Sequence, residues 1–245
     1  MTRPAGQRRR PEGVVELAIG RFARVDVGRG HRTGAPEIVL AEGKTTAHLI
    51  GILRALHRRG HGSLVSRVTD PQRTALANVA GPDLPLRWLA GGRMARLEGP
   101  IAGAPVRGTV VVMTAGTADV PVAEESVAVL DELGVRVVRA YDVGVAGLHR
   151  LGRVIGRLER ARPSAYLVFA GREGALPTVV AGLVRAPVVG VPTSVGYGRG
   201  GRGEAALTAM LQSCAPLAVV NIDAAVPAAA FAVQLLAASS RTPRR

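Results

Sequence analysis

Asp119, Asp142 and Glu173 each stand in a short segment of small residues, and Cys214 is the one cysteine in 245 residues. A carboxylate in such a segment can act as a general base or hold a divalent ion beside a phosphate; the simpler reading is solvent-exposed loop charge. The run Thr114-Ala-Gly-Thr-Ala-Asp119 sets Gly116 and the Thr117 hydroxyl ahead of a helix. Free backbone N–H groups and the helix dipole attract phosphate or carboxylate there, although the run matches neither the dinucleotide fingerprint nor the Walker pattern. Asp119 itself either caps that helix or meets a ligand hydroxyl. Cys214 is expected to end a helix just before Pro216. Its alternatives are a small core hydrophobe or, where cations or a helix N-terminus favour the thiolate, a nucleophile. His149, in Gly147-Leu-His-Arg150 at a helix start, can touch phosphate, relay a proton or remain on the surface. No His/Cys spacing suits structural zinc.

The elements that would position these residues follow a regular rhythm from Pro105 onward. Short apolar runs at 110–113, 135–138, 166–169, 187–191 and 217–220 alternate with helix-length segments at 122–133, 146–161, 176–185, 203–213 and 227–238. Runs buried on both faces and joined by crossover helices imply an α/β fold, a doubly wound and mostly parallel sheet. In such sheets ligands bind at the carboxyl ends of the strands. The segments following four of these runs, around Gly116, Asp142, Glu173 and Thr193-Ser-Val-Gly-Tyr197, should therefore meet on one rim.

Residues 1–104 read as a smaller, basic α+β region and 105–245 as the doubly wound α/β domain. Within the first, Ile38-Val-Leu40 is an apolar run, and Thr45-Thr46 should cap a helix to Arg58 with Leu49, Ile52, Leu53 and Leu56 on its apolar face. A short strand is expected at 65–69, with turns at Gly91-Gly92 and Gly99-Pro100.

Composition narrows the function classes. Hydrophobic residues make up 47%, ample for a core, whereas aromatics at 3% are too few for a base-stacking surface. The net charge of +14 would ordinarily raise nucleic acid as a partner, yet the arginines are dispersed, with dense clusters only at 8–10 and 241–245. Nucleic acid is thus not expected, and phosphorylated ligands fit the charge equally well. One cysteine forms no internal disulfide; residues 1–11 lack a signal-peptide pattern; and the apolar stretch 224–238 is broken by Pro227 and Gln234. A cytoplasmic protein with no membrane partner is the expectation.

Taken together, the strings 114–125, Tyr-Asp-Val-Gly-Val-Ala-Gly-Leu-His-Arg (141–150), Ala-Gly-Arg-Glu-Gly-Ala-Leu-Pro (170–177), Val-Pro-Thr-Ser-Val-Gly-Tyr-Gly (191–198), Met-Leu-Gln-Ser-Cys-Ala (210–215) and Val-Val-Asn-Ile-Asp (219–223) resemble the LarB family of nickel-pincer cofactor biosynthesis. Arg32-Thr-Gly-Ala-Pro-Glu37 and Ala-Glu-Gly-Lys44 resemble its amino-terminal region, so the likeness spans about 20 to 235. The carboxyl-terminal half is also similar to PurE, the aminoimidazole ribonucleotide carboxylase/mutase, which implies a PurE-like, flavodoxin-like three-layer arrangement. Two departures are Arg172, where the family is expected to carry a neutral residue, and the basic tract Arg199-Gly-Gly-Arg-Gly203.

The LarB likeness implies carboxylation of nicotinic acid adenine dinucleotide by CO2 or bicarbonate, with phosphoanhydride hydrolysis, giving pyridinium-3,5-biscarboxylic acid mononucleotide and AMP. A pyridinium ring is too electron-poor to attack CO2. Thiolate addition at C4 yields a dihydropyridine whose C5 is an enamine carbon, and loss of the C5 proton with departure of the thiolate then restores aromaticity. By this likeness Cys214 is the nucleophile and Glu173 the first choice of base, with Asp142 and Asp119 as further acids. Gly116, Thr117, His149, Gly174, Thr193, Ser194, Gly196 and Tyr197 are candidate substrate contacts, to which Arg32 and Lys44 add charge. Mg2+ could assist the hydrolysis, no tightly bound organic cofactor is expected, and a homo-oligomer is. The enzyme alternative is a PurE-like purine carboxylase, although its Ser-Ala-His-Arg-type loop is replaced here by Gly144-Val-Ala-Gly147. A non-catalytic nucleotide-binding protein is the remaining alternative.

Overall fold

A computed structural model describes residues 15–103 and 106–240. The boundary expected between 104 and 105, the segment 1–11 and the arginine clusters at 8–10 and 241–245 lie outside the described residues.

The amino-terminal part runs β1 (Glu16–Ile19), β2 (Ala23–Asp26), α1 (Arg29–Thr33), β3 (Ile38–Leu40), α2 (Thr46–Arg58), β4 (Ser63–Ser66), α3 (Asp70–Val79), β5 (Leu86–Leu89) and β6 (Met94–Leu97). β1 and β2 form a hairpin; the other strands form a sheet in the order β3-β4-β6-β5, parallel only between β3 and β4. α2 lies where its pattern placed it. The Thr45 hydroxyl accepts the His48 N–H at 3.2 Å, and Leu49, Ile52, Leu53 and Leu56 are buried. The strand expected at 65–69 instead ends at Ser66, because Thr69 opens α3. There Gln72 Oε1 accepts the Thr69 N–H at 3.1 Å, and Pro71 occupies the first turn, where a missing N–H costs nothing. α3 buries only Gln72 and Leu76, so its sequence carries little helical periodicity.

The carboxyl-terminal part alternates as expected: β7 (Thr109–Thr114), α4 (Val120–Glu132), β8 (Arg136–Ala140), α5 (Leu148–Arg160), β9 (Ala165–Ala170), α6 (Ala175–Ala181), β10 (Val188–Pro192), α7 (Glu204–Leu211), β11 (Ala218–Val219) and α8 (Ala225–Ser240). Its five strands pair in parallel in the order β8-β7-β9-β10-β11. Successive strand residues point to opposite faces. Val110, Val112, Leu167, Phe169, Val189 and Val191 pack with α4 and α8, while Val111, Met113, Tyr166, Val168 and Val188 pack with α5, α6 and α7. The result is the three-layer, doubly wound α/β arrangement with a smaller mixed sheet beside it.

That smaller sheet docks on α4. Leu64 and Met94 join the apolar cluster of α4 and α8, and arginines meet the carboxylates of the helix. Arg93 contacts buried Glu125 at 2.6 Å; Arg96 and Arg87 reach Glu132 at 3.1 and 2.8 Å. A carboxylate as enclosed as Glu125 requires such a partner, since an unpaired buried charge is costly. Among the described residues no helix is long and apolar enough to cross a membrane.

Candidate functional site

The strand order places a switch point between β7 and β9, whose connections leave toward opposite sides of the sheet. A cleft of about 580 Å³ opens there at the carboxyl ends of the strands. Its walls come from the segments after β7 (115–119), β8 (142–146), β9 (171–173) and β10 (Val195), together with Arg150 and Leu176. The volume lies within the range of sites that take cofactor-sized ligands.

Close backbone approach makes this convergence possible. A Cβ at Gly144 would stand 2.6 Å from the Ala115 carbonyl oxygen, and one at Gly171 would overlap the Val195 carbonyl. Side chains at those positions would push the loops apart.

Asp119 ties two of the loops together. Its carboxylate accepts the Gly116 N–H at 2.9 Å and the Thr193 hydroxyl at 2.6 Å. Asp119 precedes α4 but does not cap it, since its side chain is committed to Gly116 and Thr193. Burial pushes its carboxyl above the ordinary value of 3.8, against the hydrogen bonds from Thr193, Gly116 and Gly171 that favour the charged form. Asp142, exposed and with a left-handed φ of 56°, pairs with Arg150 at 2.9 Å and takes an Arg150 donor on its carbonyl at 3.0 Å. Glu173 is exposed in the cleft wall and has no ion-pair partner among the described residues. Arg172, beside it, donates to the Tyr197 hydroxyl at 2.8 Å with its guanidinium 4.6 Å from the ring centre.

The remaining expected residues divide clearly. Gly116 and Thr117 line the cleft, and Gly174 supplies the left-handed turn, φ 62°, that starts α6 behind it. Thr193 is fully enclosed, its hydroxyl given to Asp119, so within this protomer it braces the loop and has no face for substrate. Ser194, Gly196 and Tyr197 are exposed along the adjoining rim, as is His149 on the first turn of α5. Arg32 and Lys44 do not line the cleft: Arg32 bonds Asp26, and Lys44 donates to the Leu40 carbonyl at 2.7 Å. The cations that do line it are Arg150 and Arg172. Arg150 was legible in principle as a cation eight residues past Asp142, in the first turn of the next helix.

Cys214 is exposed, but it neither ends a helix nor lines the cleft. α7 stops at Leu211, and the thiol sits in the turn that leads to β11. β11 pairs with β10 through Val189↔Ala218, so residues before Ala218 lie at the edge where the strands begin. The cleft is at the opposite edge, farther off than the length of β10, roughly 13 Å at about 3.3 Å per residue. Among the described residues no group of three or more His, Cys, Asp or Glu could hold a metal ion.

The model of the AIR carboxylase family matches residues 109–244, more than half of the chain. This chain belongs to the AIR carboxylase family. A model described as the LarB/PurE-like N-terminal domain matches residues 17–86, so the family member carries both parts of that pair. It is 36% identical over 214 residues, 85% of this chain and 82% of the other, to an uncharacterized protein of Methanocaldococcus jannaschii. It is 29% identical over 134 residues, 52% and 78% respectively, to the N5-carboxyaminoimidazole ribonucleotide mutase of the same organism. Among solved structures, Treponema denticola PurE is similar at 23% identity and TM-score 0.40, covering 54% of this chain and 90% of that one. A PurE2 variant of the same organism is similar at 22% and 0.41, covering 55% and 91%.

Proposed function

We propose that this chain carboxylates the pyridinium ring of nicotinic acid adenine dinucleotide with CO2 or bicarbonate and hydrolyses the phosphoanhydride, releasing pyridinium-3,5-biscarboxylic acid mononucleotide and AMP. The observation that carries the reading is the cleft at the strand switch point, where Glu173, a carboxylate without an ion pair among the described residues, shares the walls with Arg150, Arg172 and the Gly116–Thr117 turn. Guanidiniums suit phosphates, and the carboxylate suits removal of a ring proton. The LarB/PurE-like amino-terminal domain, joined to a carboxylase domain, favours the dinucleotide over a purine ribonucleotide. So does the β8 loop, whose Gly144 has no room for a side chain against Ala115.

In this reaction Glu173 takes the C5 proton after carbon dioxide has added, and the thiolate of Cys214 adds to and leaves C4. Because Cys214 and the cleft lie at opposite edges of one sheet, the thiol enters the proposal through a second copy of the chain, to which its exposure makes it available. Hydrolysis needs a water held beside the phosphates; no step is routed through a metal.

Incubation of the protein with the dinucleotide and ¹³C-bicarbonate, followed by mass spectrometry, should yield the labelled dicarboxylated mononucleotide and AMP. Cys214→Ala should give none, and Glu173→Gln should be slower by about 10²–10⁴. Undiminished product from Cys214→Ala rejects the thiol mechanism. The second reading, a carboxylase or mutase of aminoimidazole ribonucleotide, is favoured by the mutase relative and would be supported by turnover of that substrate alone.

A further inference from the structure

The amino-terminal sheet supplies no wall of the cleft, yet one of its residues is bonded to the rim. Arg67 directly follows β4, and its guanidinium bridges the two parts of the chain. Nη1 donates to Glu42 Oε2 at 2.7 Å, and Nη2 donates to the carbonyl of Asp223, 156 positions away, at 2.8 Å. Asp223 is itself a clamp in the segment after β11. Its N–H donates to the Pro192 carbonyl at 2.9 Å, and its Oδ1 accepts the Ser194 N–H at 2.9 Å. The next residue, Val195, lines the cleft, and its carbonyl accepts the Arg172 N–H at 3.0 Å. Hydrogen bonds thus lead from Glu42 through Arg67 and Asp223 to Ser194, and through the adjoining Val195 to Arg172.

Backbone conformation marks the same two residues. Arg67 and Asp223 have φ of 51° and 54°, a left-handed region that is uncommon for residues other than glycine.

We propose that Arg67 is a positioning residue through which the amino-terminal domain sets the Ser194–Val195 wall of the cleft. The catalytic consequence rests on the cleft being the site of the reaction proposed above; the structural consequence does not. A chain of contacts becomes a coupling only when perturbing one end is felt at the other, so the test reads the far end directly.

The experiment is amide hydrogen exchange on the free, full-length protein, paired with steady-state kinetics on the dinucleotide. Arg67→Asn removes the guanidinium and tolerates a left-handed backbone. It should speed exchange at Ser194 and its neighbours at least tenfold while leaving β7 and β9 unchanged. KM should rise about tenfold with kcat within twofold, and millimolar guanidinium should restore both readouts. Loss of folded protein alone would lower kcat at constant KM and would not respond to guanidinium, and that outcome overturns the proposal. Arg67→Gly, which accommodates the same φ and removes the guanidinium, should give the same exchange at Ser194, and it serves if Arg67→Asn does not fold. Unchanged exchange at Ser194 in either folded variant also overturns it. If the exchange results hold while the wild type turns over no dinucleotide, the function is wrong and the coupling stands.

Discussion

At Glu125 the cost of burial outweighs the attraction of Arg93 at 2.6 Å, and its carboxyl lies above the ordinary value of 4.5. Asp119, raised mainly by burial, has the same sign. An acid whose value rises on folding binds more protons folded than unfolded, so its contribution falls as pH climbs from the ordinary value through the raised one. The stability difference between wild type and Glu125→Gln should therefore shift against the wild type as pH rises above about 4.5 and be level below it. Denaturant midpoints of the two proteins across that window check this. A wild-type advantage that grows with pH would mean the Arg93 pair dominates. Asp119 and Glu125 illustrate two degrees of legibility: Asp119 was visible as a rim acid, while the burial of Glu125 depends on arginines from another sheet.

At the scale of elements, the loops are held by approach distances that only glycine permits. Gly144→Ala should drive the β8 loop away from Ala115, at a cost of about 1–3 kcal/mol, and should weaken ligand binding in the cleft more than it lowers the melting temperature. Calorimetric titration of the dinucleotide alongside thermal unfolding measures both; unchanged affinity would place the binding site elsewhere. Helix and strand order in the larger domain was readable because β7, β9 and β10 are apolar runs buried on both faces and the helices between the strands keep apolar stripes. α3 was not, for it buries too little, and Thr69, read as the end of a strand, is its capping residue. The end of α7 was overextended to Cys214, because the polar pair Gln212-Ser213 is a weak stop signal and Pro216 lies further on.

For the whole molecule, the decisive fact is that the one thiol and the acidic cleft occupy opposite edges of the five-stranded sheet. If two copies complete each other's sites, Cys214→Ala and Glu173→Gln proteins, mixed in equal amounts and allowed to exchange subunits, should regain about a quarter of wild-type activity, since one composite site in four pairs an intact thiol with an intact acid. No recovery after demonstrated exchange would exclude a shared site. The sequence by itself determined the layered α/β class, the alternation of strands and helices, and the segments that meet at the rim, because periodicity and turn chemistry act over a few residues. Tertiary structure alone decided the strand order that sets the cleft between β7 and β9, the edge on which Cys214 lies, and the bond from Arg67 to Asp223. Those depend on which distant segments pack together and in which direction each helix returns, and neither is written in local pattern.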